Sequence, residues 1–517
     1  MNNLFEKIFE ISDNADSLDK FLNENMQKVN EFYNSNYACI LLSKNSIEKF
    51  ILLKYNAISQ LDFSKSYTKS FALMLLDFCE RFNFISATPR IHTILTERNI
   101  PVNSRLQAAL LFLYPKPKTN SELVDRFDVI CEKLQLAIDT EEDNDKKAIA
   151  TFLNYYGIVV NDTRLEFAEQ VKQKMLDAIQ NETYAFLQNE SVSTIANVEL
   201  QDLAAAYTQI QNVIDIVLGK EDIVIYVPDE ITEEETTEEF IIETDTDYSR
   251  ELLSVPNDFD SIRSISVRHA GSLKIAGRGV KILESKDELF GYFKSFGNMH
   301  KAKLLSSFEA LPKTFDSKIN IIDWGCGQGF ASMIFLEKYG SDFVNHITLV
   351  EPSEIALKRA ALHCKKYCSE IPLNTICKKM DDLEEEDFNL PKSDITIHLF
   401  SNILDIDGYS QKHLIELIEQ TQASENYFVC ASPYIDSIKT ERLESFKRYF
   451  ETIYDSFELL LDIINTKSPD DEFWCCNNTY THGNVNHGTY FNCNDFDDCG
   501  CYNKWTRVIK VFKVILE

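Results

Sequence analysis

The chain has 517 residues, with 82 Asp and Glu against 52 Lys and Arg, a formal net charge of −30. Its 15 glycines and 12 prolines are few for this length, which excludes collagen-like and Pro/Gly-rich disordered classes and leans toward helix. So large an acidic excess argues against general nucleic-acid binding by the whole chain, because neutralising phosphates requires Lys and Arg in excess.

The charge is unevenly spread. Residues 1–220 carry −8, residues 221–260 carry −14 and residues 261–517 carry −8. Length alone suggests about three domains. The charge map instead predicts two bodies and an acidic joint around 229–239, whose like charges favour an extended, solvated linker. A docking segment for a basic partner is the other reading of such a block.

Residues 1–220 read as an all-α N-terminal domain. Apolar residues are dense over Phe71–Phe78 and Leu106–Tyr114, and mostly follow three/four spacing over Leu165–Phe186 and Leu203–Leu218. Breaks fall at Pro101, at Pro115-Lys116-Pro117 and in the polar run Thr140–Lys147. No period of roughly 20–50 residues recurs cleanly, so no named repeat is assigned. A helical array suits a protein partner or the recruitment of a large substrate.

Residues 221–285 read as an acidic linker and a small β-like connector. Its β-like stretches are 222–227, 239–243 and Ile262–Leu283, with turns at Gly271, Gly277 and Gly279. A helix follows from near Lys286 to about Ala310, with Gly297 as a candidate break. From there short apolar runs alternate with helices, the pattern of a parallel α/β sheet.

That part opens with Ile319-Asn320-Ile321-Ile322-Asp323-Trp324-Gly325-Cys326-Gly327-Gln328-Gly329-Phe330. A β-branched strand runs into a glycine loop, and the loop runs into a helix whose free N–H groups face an anionic ligand. A second strand, His346–Val350, ends on Glu351, 22 residues after Gly329, where a carboxylate accepts the hydroxyls of a ribose. The dinucleotide pattern G-x-G-x-x-G requires a glycine at 330, and Phe330 stands there.

The pattern D-x-G-x-G-x-G resembles motif I of the class I S-adenosylmethionine-dependent methyltransferases, with Glu351 in the place of their ribose-binding acid. The resemblance covers about 290–517. It implies an α/β, Rossmann-like C-terminal domain over 286–517 with a seven-stranded, mostly parallel sheet, and S-adenosyl-L-methionine as cofactor. Asp323, Gly325, Gly327, Gly329 and Glu351 would hold that cofactor. Asp381 and Asp382 follow strand three (Leu373–Cys377) where the family keeps an adenine-contacting acid, although they also begin an acidic run of the solvated kind. Strand four, Asp394–Leu399, leads to Phe400–Asp405, expected to face the methyl group or the substrate. Strand five is Tyr427–Ala431; a helix Ile438–Tyr454 and strands Phe457–Ile464 and Thr506–Leu516 close the sheet.

Methyl transfer is an in-line displacement, so a base is needed only when the acceptor must lose a proton. Asp405, Asn402 and Tyr434 are the catalytic candidates, ahead of His398, which lies inside strand four where a satisfied core histidine is commoner. On the preceding helix, Lys301 or His300 is placed to reach the methionine carboxylate, unless that stretch is a plain surface helix. The residues Phe400-Ser401-Asn402-Ile403 depart from the Asn/Asp/Ser-Pro-Pro-aromatic tetrad of enzymes that methylate exocyclic amines of nucleic acids, which disfavours that chemistry. Cys326 and Cys430 do not suggest a paired-cysteine mechanism. The acceptor is a protein, an RNA or a small molecule. The alternative is a methyltransferase fold kept as a scaffold or cofactor-binding interaction protein without turnover.

An insertion at 468–504 holds five of the 13 cysteines within 27 residues. Cys493, Cys499 and Cys501, with His482 or His487, would make a zinc site; Cys475-Cys476 cannot easily both ligate one ion, and no C-x-x-C pair is present. Reduced loop thiols or a disulfide are the other readings. The N-terminus, Met1 to Asp13, lacks a signal-peptide pattern, no stretch approaches a membrane span, and the odd cysteine count suits a reduced, cytoplasmic setting.

Overall fold

In the computed structural model the described residues are 4–35, 37–115, 117, 119–139, 145–219, 246–270, 282–388, 394–466 and 506–516. The chain divides into two compact units, Met1–Thr232 with Asp436–Glu441, and Glu233–Ile435 with Arg442–Glu517. The acidic joint, the β-like stretches 222–227 and 239–243, and the cysteine-rich insertion lie outside the described residues.

The first unit is helical throughout its described elements. The four apolar segments read from sequence fall in helices Ser66–Arg81, Ser104–Leu113, Leu165–Gln180 and Leu203–Val217. Two of these starts are fixed by caps. Asn103 Oδ1 accepts from the Leu106 amide, and Asp202 Oδ1 from those of Ala204 and Ala205. The third helix stops short of Phe186, because Glu182 turns left-handed (φ 51°) and a 3-10 turn, Ala185–Gln188, follows. At the centre of this unit Arg105 is buried. Its guanidinium donates to Asp77, to Glu80 at 2.8 Å and to Thr151 at 3.1 Å, and Asn154 donates to the other Glu80 oxygen at 3.0 Å.

Among the described residues the second unit opens with two helices, Thr246–Ser254 and Phe259–His269. The stretch Ile262–Leu283, expected to be β-like, therefore starts as helix. Asp258 caps it by accepting from the Ser261 amide at 2.7 Å, and Phe259, Ile262 and Ile265 bury one face. Cap and three-residue spacing outweigh the β-branched composition. Helix Lys286–Phe308 runs unbroken through Gly297, where a Cβ would lie 2.8 Å from Phe293 and 3.1 Å from Arg263. Close packing against the preceding helix, rather than a break, explains that glycine.

Seven strands follow among the described residues: β1 (Ile319–Trp324), β2 (Val344–Val350), β3 (Leu373–Ile376), β4 (Ile395–Ser401), β5 (Ser424–Ser432), β6 (Glu458–Asn465) and β7 (Arg507–Leu516). They form one sheet in the order β3-β2-β1-β4-β5-β7-β6. Strands β1 to β5 pair in parallel, and β7 runs against both neighbours. This is the mostly parallel, seven-stranded sheet expected from the sequence, flanked by helices. The order reverses between β1 and β4, the place where open α/β sheets bind ligands. Trp324 pairs with Val350 on one side and Phe400 on the other, so Gly325, Glu351 and Ser401 emerge together at the carboxyl edge.

Candidate functional site

A cavity of about 340 Å³ opens at this edge. Its walls include Gly325, Gly327, Gln328, Glu351, Tyr292, Met380, Ser401, Asn402, Ile403 and Tyr409. The three glycines of the loop all have positive φ but do different work. A Cβ on Gly327 would meet nothing within 4 Å, so this glycine borders open space. One on Gly329, the N-cap of helix Phe330–Tyr339, would sit 3.0 Å from the Ala360 Cβ, so that glycine serves helix packing. Gly325 is crowded by Ile403.

Glu351 lies beside the loop. Its Oε2 accepts from the Gly327 amide at 3.0 Å and its Oε1 from the Ser353 amide at 3.0 Å. Burial raises its pKa to about 6, against the pull of those two amides. Asp323 sits beneath the loop, outside the lining. Strand alternation turns it toward Ser332, whose amide (3.1 Å) and hydroxyl (2.7 Å) donate to Oδ2. Burial raises this carboxyl to about 7, opposed by the two Ser332 hydrogen bonds. Its Oδ1 is buried and has no partner among the described residues.

Other sequence candidates stand elsewhere. Phe400 is fully buried on the opposite side of β4, stacked parallel to Trp324 with centroids 5.9 Å apart, because alternation gives the cavity to Ser401 instead. Asp381 and Asp382 are exposed in a 3-10 turn, Asp381 accepting from the Ser410 amide at 2.8 Å. The neighbouring Lys378, Lys379 and Met380 reach the cavity wall in their place. Asp405 is buried behind the loop that follows β4, and neither it nor Tyr434 lines the cavity. His398 is a satisfied core residue. Trp324 Nε1 donates to its Nδ1 at 3.2 Å, and its Nε2 lies 3.0 Å from Asn426 Oδ1. Burial holds its pKa down to about 4. Lys301 is turned away to Asp260 (2.7 Å) and Glu337 (3.7 Å).

Asn402 does line the cavity, held in a left-handed backbone turn (φ 61°) with its amide donating to the Ala431 carbonyl at 2.8 Å. Behind it stand His300 and Lys303, both buried. Sequence reasoning passed over Lys303 and Tyr292. The signal was there: Tyr292, His300 and Lys303 are eight and three residues apart, one face of a single helix. The zinc candidates Cys493, Cys499, Cys501 and His482 lie outside the described residues. Among the described residues no cluster of three His, Cys, Asp or Glu side chains is suited to a metal ion. The eight cysteines described are free thiols, and no described helix is long and apolar enough to cross a membrane.

No protein-family model and no curated protein matches the chain. Many of the solved structures it resembles are S-adenosylmethionine-dependent methyltransferases. A putative methyltransferase of Haloferax volcanii, solved with the Trm112 activator, is 14% identical over 43% of this chain and 92% of that one, with a TM-score of 0.27. A putative RNA methyltransferase of Pyrococcus horikoshii is 9% identical over 53% and 100%, with a TM-score of 0.26. A methyltransferase of Thiobacillus denitrificans in complex with S-adenosyl-L-homocysteine is 12% identical over 42% and 91%, with a TM-score of 0.25.

Proposed function

We propose that the second unit binds S-adenosyl-L-methionine in this cavity and transfers its methyl group to an acceptor. The observation that carries the reading is the juxtaposition of Glu351 with the open face of Gly327. An acid at the end of β2, beside a backbone amide with no Cβ above it, suits a ribose whose hydroxyls donate to the carboxylate. With Glu351 on the ribose, Met380 after β3 would hold the adenine, and Gly325, Ser401 and Asn402 at the ends of β1 and β4 would hold the aminoacyl arm. The cofactor supplies the methyl group as an activated sulfonium. The chain supplies orientation and an apolar part of the wall, from Ile403, Met380 and Tyr409. Of the catalytic candidates, Asn402 is the one on the cavity wall.

Calorimetry with S-adenosylhomocysteine tests the site. Gly327→Arg, which fills the open space, and Glu351→Ala are each expected to abolish binding. Unchanged affinity in both variants refutes the assignment. Transfer of label from methyl-labelled cofactor into a cell-lysate fraction then separates turnover from a scaffold that only binds, and reports the acceptor class.

A further inference from the structure

The polar groups behind the cavity wall form a chain whose hydrogen-bond direction is fixed. Lys303, whose ammonium has donors and no acceptor, contacts Asn402 Oδ1. That contact orients the amide: Oδ1 faces Lys303, so the atom 3.1 Å from His300 Nε2 is Asn402 Nδ2, which only donates. The Tyr292 hydroxyl approaches the same ring nitrogen at 3.2 Å. Nε2 therefore keeps its lone pair, and the ring proton sits on Nδ1, 2.9 Å from Ser401 Oγ. Burial, reinforced by Lys303, holds the His300 pKa well below its ordinary value, in keeping with a neutral ring. Ser401 Oγ thus accepts from His300 and retains its own O–H. Among the described residues nothing accepts that proton, and Ser401 lines the cavity beside Asn402.

We propose that the Ser401 hydroxyl is a directed donor that reads the carboxylate on the aminoacyl arm of the bound cofactor. The chain begins at a buried ammonium and each link points the same way, so its outer end is electropositive. An anionic oxygen is the group such a donor holds most strongly, and an ammonium is repelled. His300 is a positioning residue here. It touches no ligand, and sets which atom of Ser401 carries the proton outward. The inference rests on the adenosyl-cofactor reading above, and goes beyond it in naming what discriminates one adenosyl compound from another.

The test is calorimetry on the full chain with two probes, S-adenosylhomocysteine and 5′-methylthioadenosine, which lacks the aminoacyl arm. Wild-type protein is expected to prefer the first. Ser401→Ala is expected to weaken S-adenosylhomocysteine about tenfold or more, the scale of a lost charge-assisted hydrogen bond. It should leave methylthioadenosine within about twofold, the spread of a near-neutral change. Ser401→Thr, which keeps the hydroxyl, should restore the preference. His300→Phe should lose the preference as Ser401→Ala does, a readout that a general loosening of the fold would not move. Equal losses for both probes in Ser401→Ala, or no loss in either, overturn the proposal while leaving the cofactor reading intact. A preference retained in His300→Phe overturns the directed chain. Should that variant not fold, the Ser401 pair decides. Failure of both probes to bind the wild type overturns the cofactor reading and this inference together.

Discussion

The acids at the centre of the helical unit and those beside the cavity of the α/β unit are held in opposite ways. In the helical unit Asp77 and Glu80 are paired with Arg105, and Arg81 adds a second guanidinium to Asp77. Burial alone would raise Asp77, yet the guanidiniums of Arg81 and Arg105 hold it far below the usual carboxylate range. Glu80, with one arginine, is pushed up by burial. In the α/β unit the buried Asp323 and the half-buried Glu351 are held by amides and a hydroxyl, with no ion pair among the described residues, and burial raises both. A charge matched by its opposite organises a core, whereas an acid left with neutral donors beside a cavity has capacity for a ligand.

The contrast is broken most directly at Arg105. Arg105→Met leaves two buried acids without their shared cation and is expected to cost about 3–5 kcal/mol. Urea unfolding followed by far-UV circular dichroism reads that loss, and S-adenosylhomocysteine affinity should stay unchanged in the folded variant. A loss below about 1 kcal/mol would mean that the network is solvated and the contrast mistaken.

A smaller effect sharpens the other side. Asp323 and Glu351 bind their protons more tightly folded than unfolded, with values of about 7 and about 6 against ordinary ones of 3.8 and 4.5. The stability they contribute is therefore present below about pH 4 and lost as pH rises through 6 and 7. Asp323→Asn should flatten the fall in melting temperature between pH 5 and pH 8. Affinity follows the opposite sign at Glu351, because ribose hydroxyls donate to the ionised form. S-Adenosylhomocysteine should bind more weakly as pH falls below about 6. Binding that is flat from pH 5 to pH 8 would remove Glu351 from the site.

Much of this architecture was legible in the chain because it is periodic and local. Strands β1 to β5 were placed within a few residues of their ends, and the loop Gly325–Gly329 announces itself by composition. What escaped was set by partners distant in sequence. Nothing local distinguishes Phe400 from Ser401; pleating against Trp324 decides which of them sees the cavity. The acids Asp381 and Asp382 satisfied a positional expectation, but a 3-10 turn leaves them in solvent and offers Met380. In sequence, helix Phe259–His269 resembles a strand because Ile262, Ile265 and Val267 carry β-branched side chains, while the Asp258 cap decides for helix. Lys303 was missed because buried lysines are rare, and its place becomes intelligible only beside Asn402, which arrives from the other end of the sheet unit.

The smallest expected effect concerns His398, a titratable group in the same sheet that the contrast assigns to the core. It accepts from the Trp324 indole and lies against Asn426, stacked on Phe428 with centroids 4.6 Å apart. His398→Leu preserves the apolar volume but strands one buried donor and one buried acceptor, at a cost of about 1–3 kcal/mol. Its melting temperature should fall by a few degrees at pH 8 and by less at pH 6. The wild-type ring, held down to about 4 when folded, takes up a proton near its ordinary 6.5 when unfolded, so through this group the wild type loses stability as pH falls and the leucine variant does not. S-Adenosylhomocysteine affinity should not change, since His398 lies on the side of β4 away from Ser401. A variant that kept its melting temperature and lost affinity would move His398 from the core into the site, and would erase the distinction between satisfied and ligand-seeking buried groups on which the contrast depends.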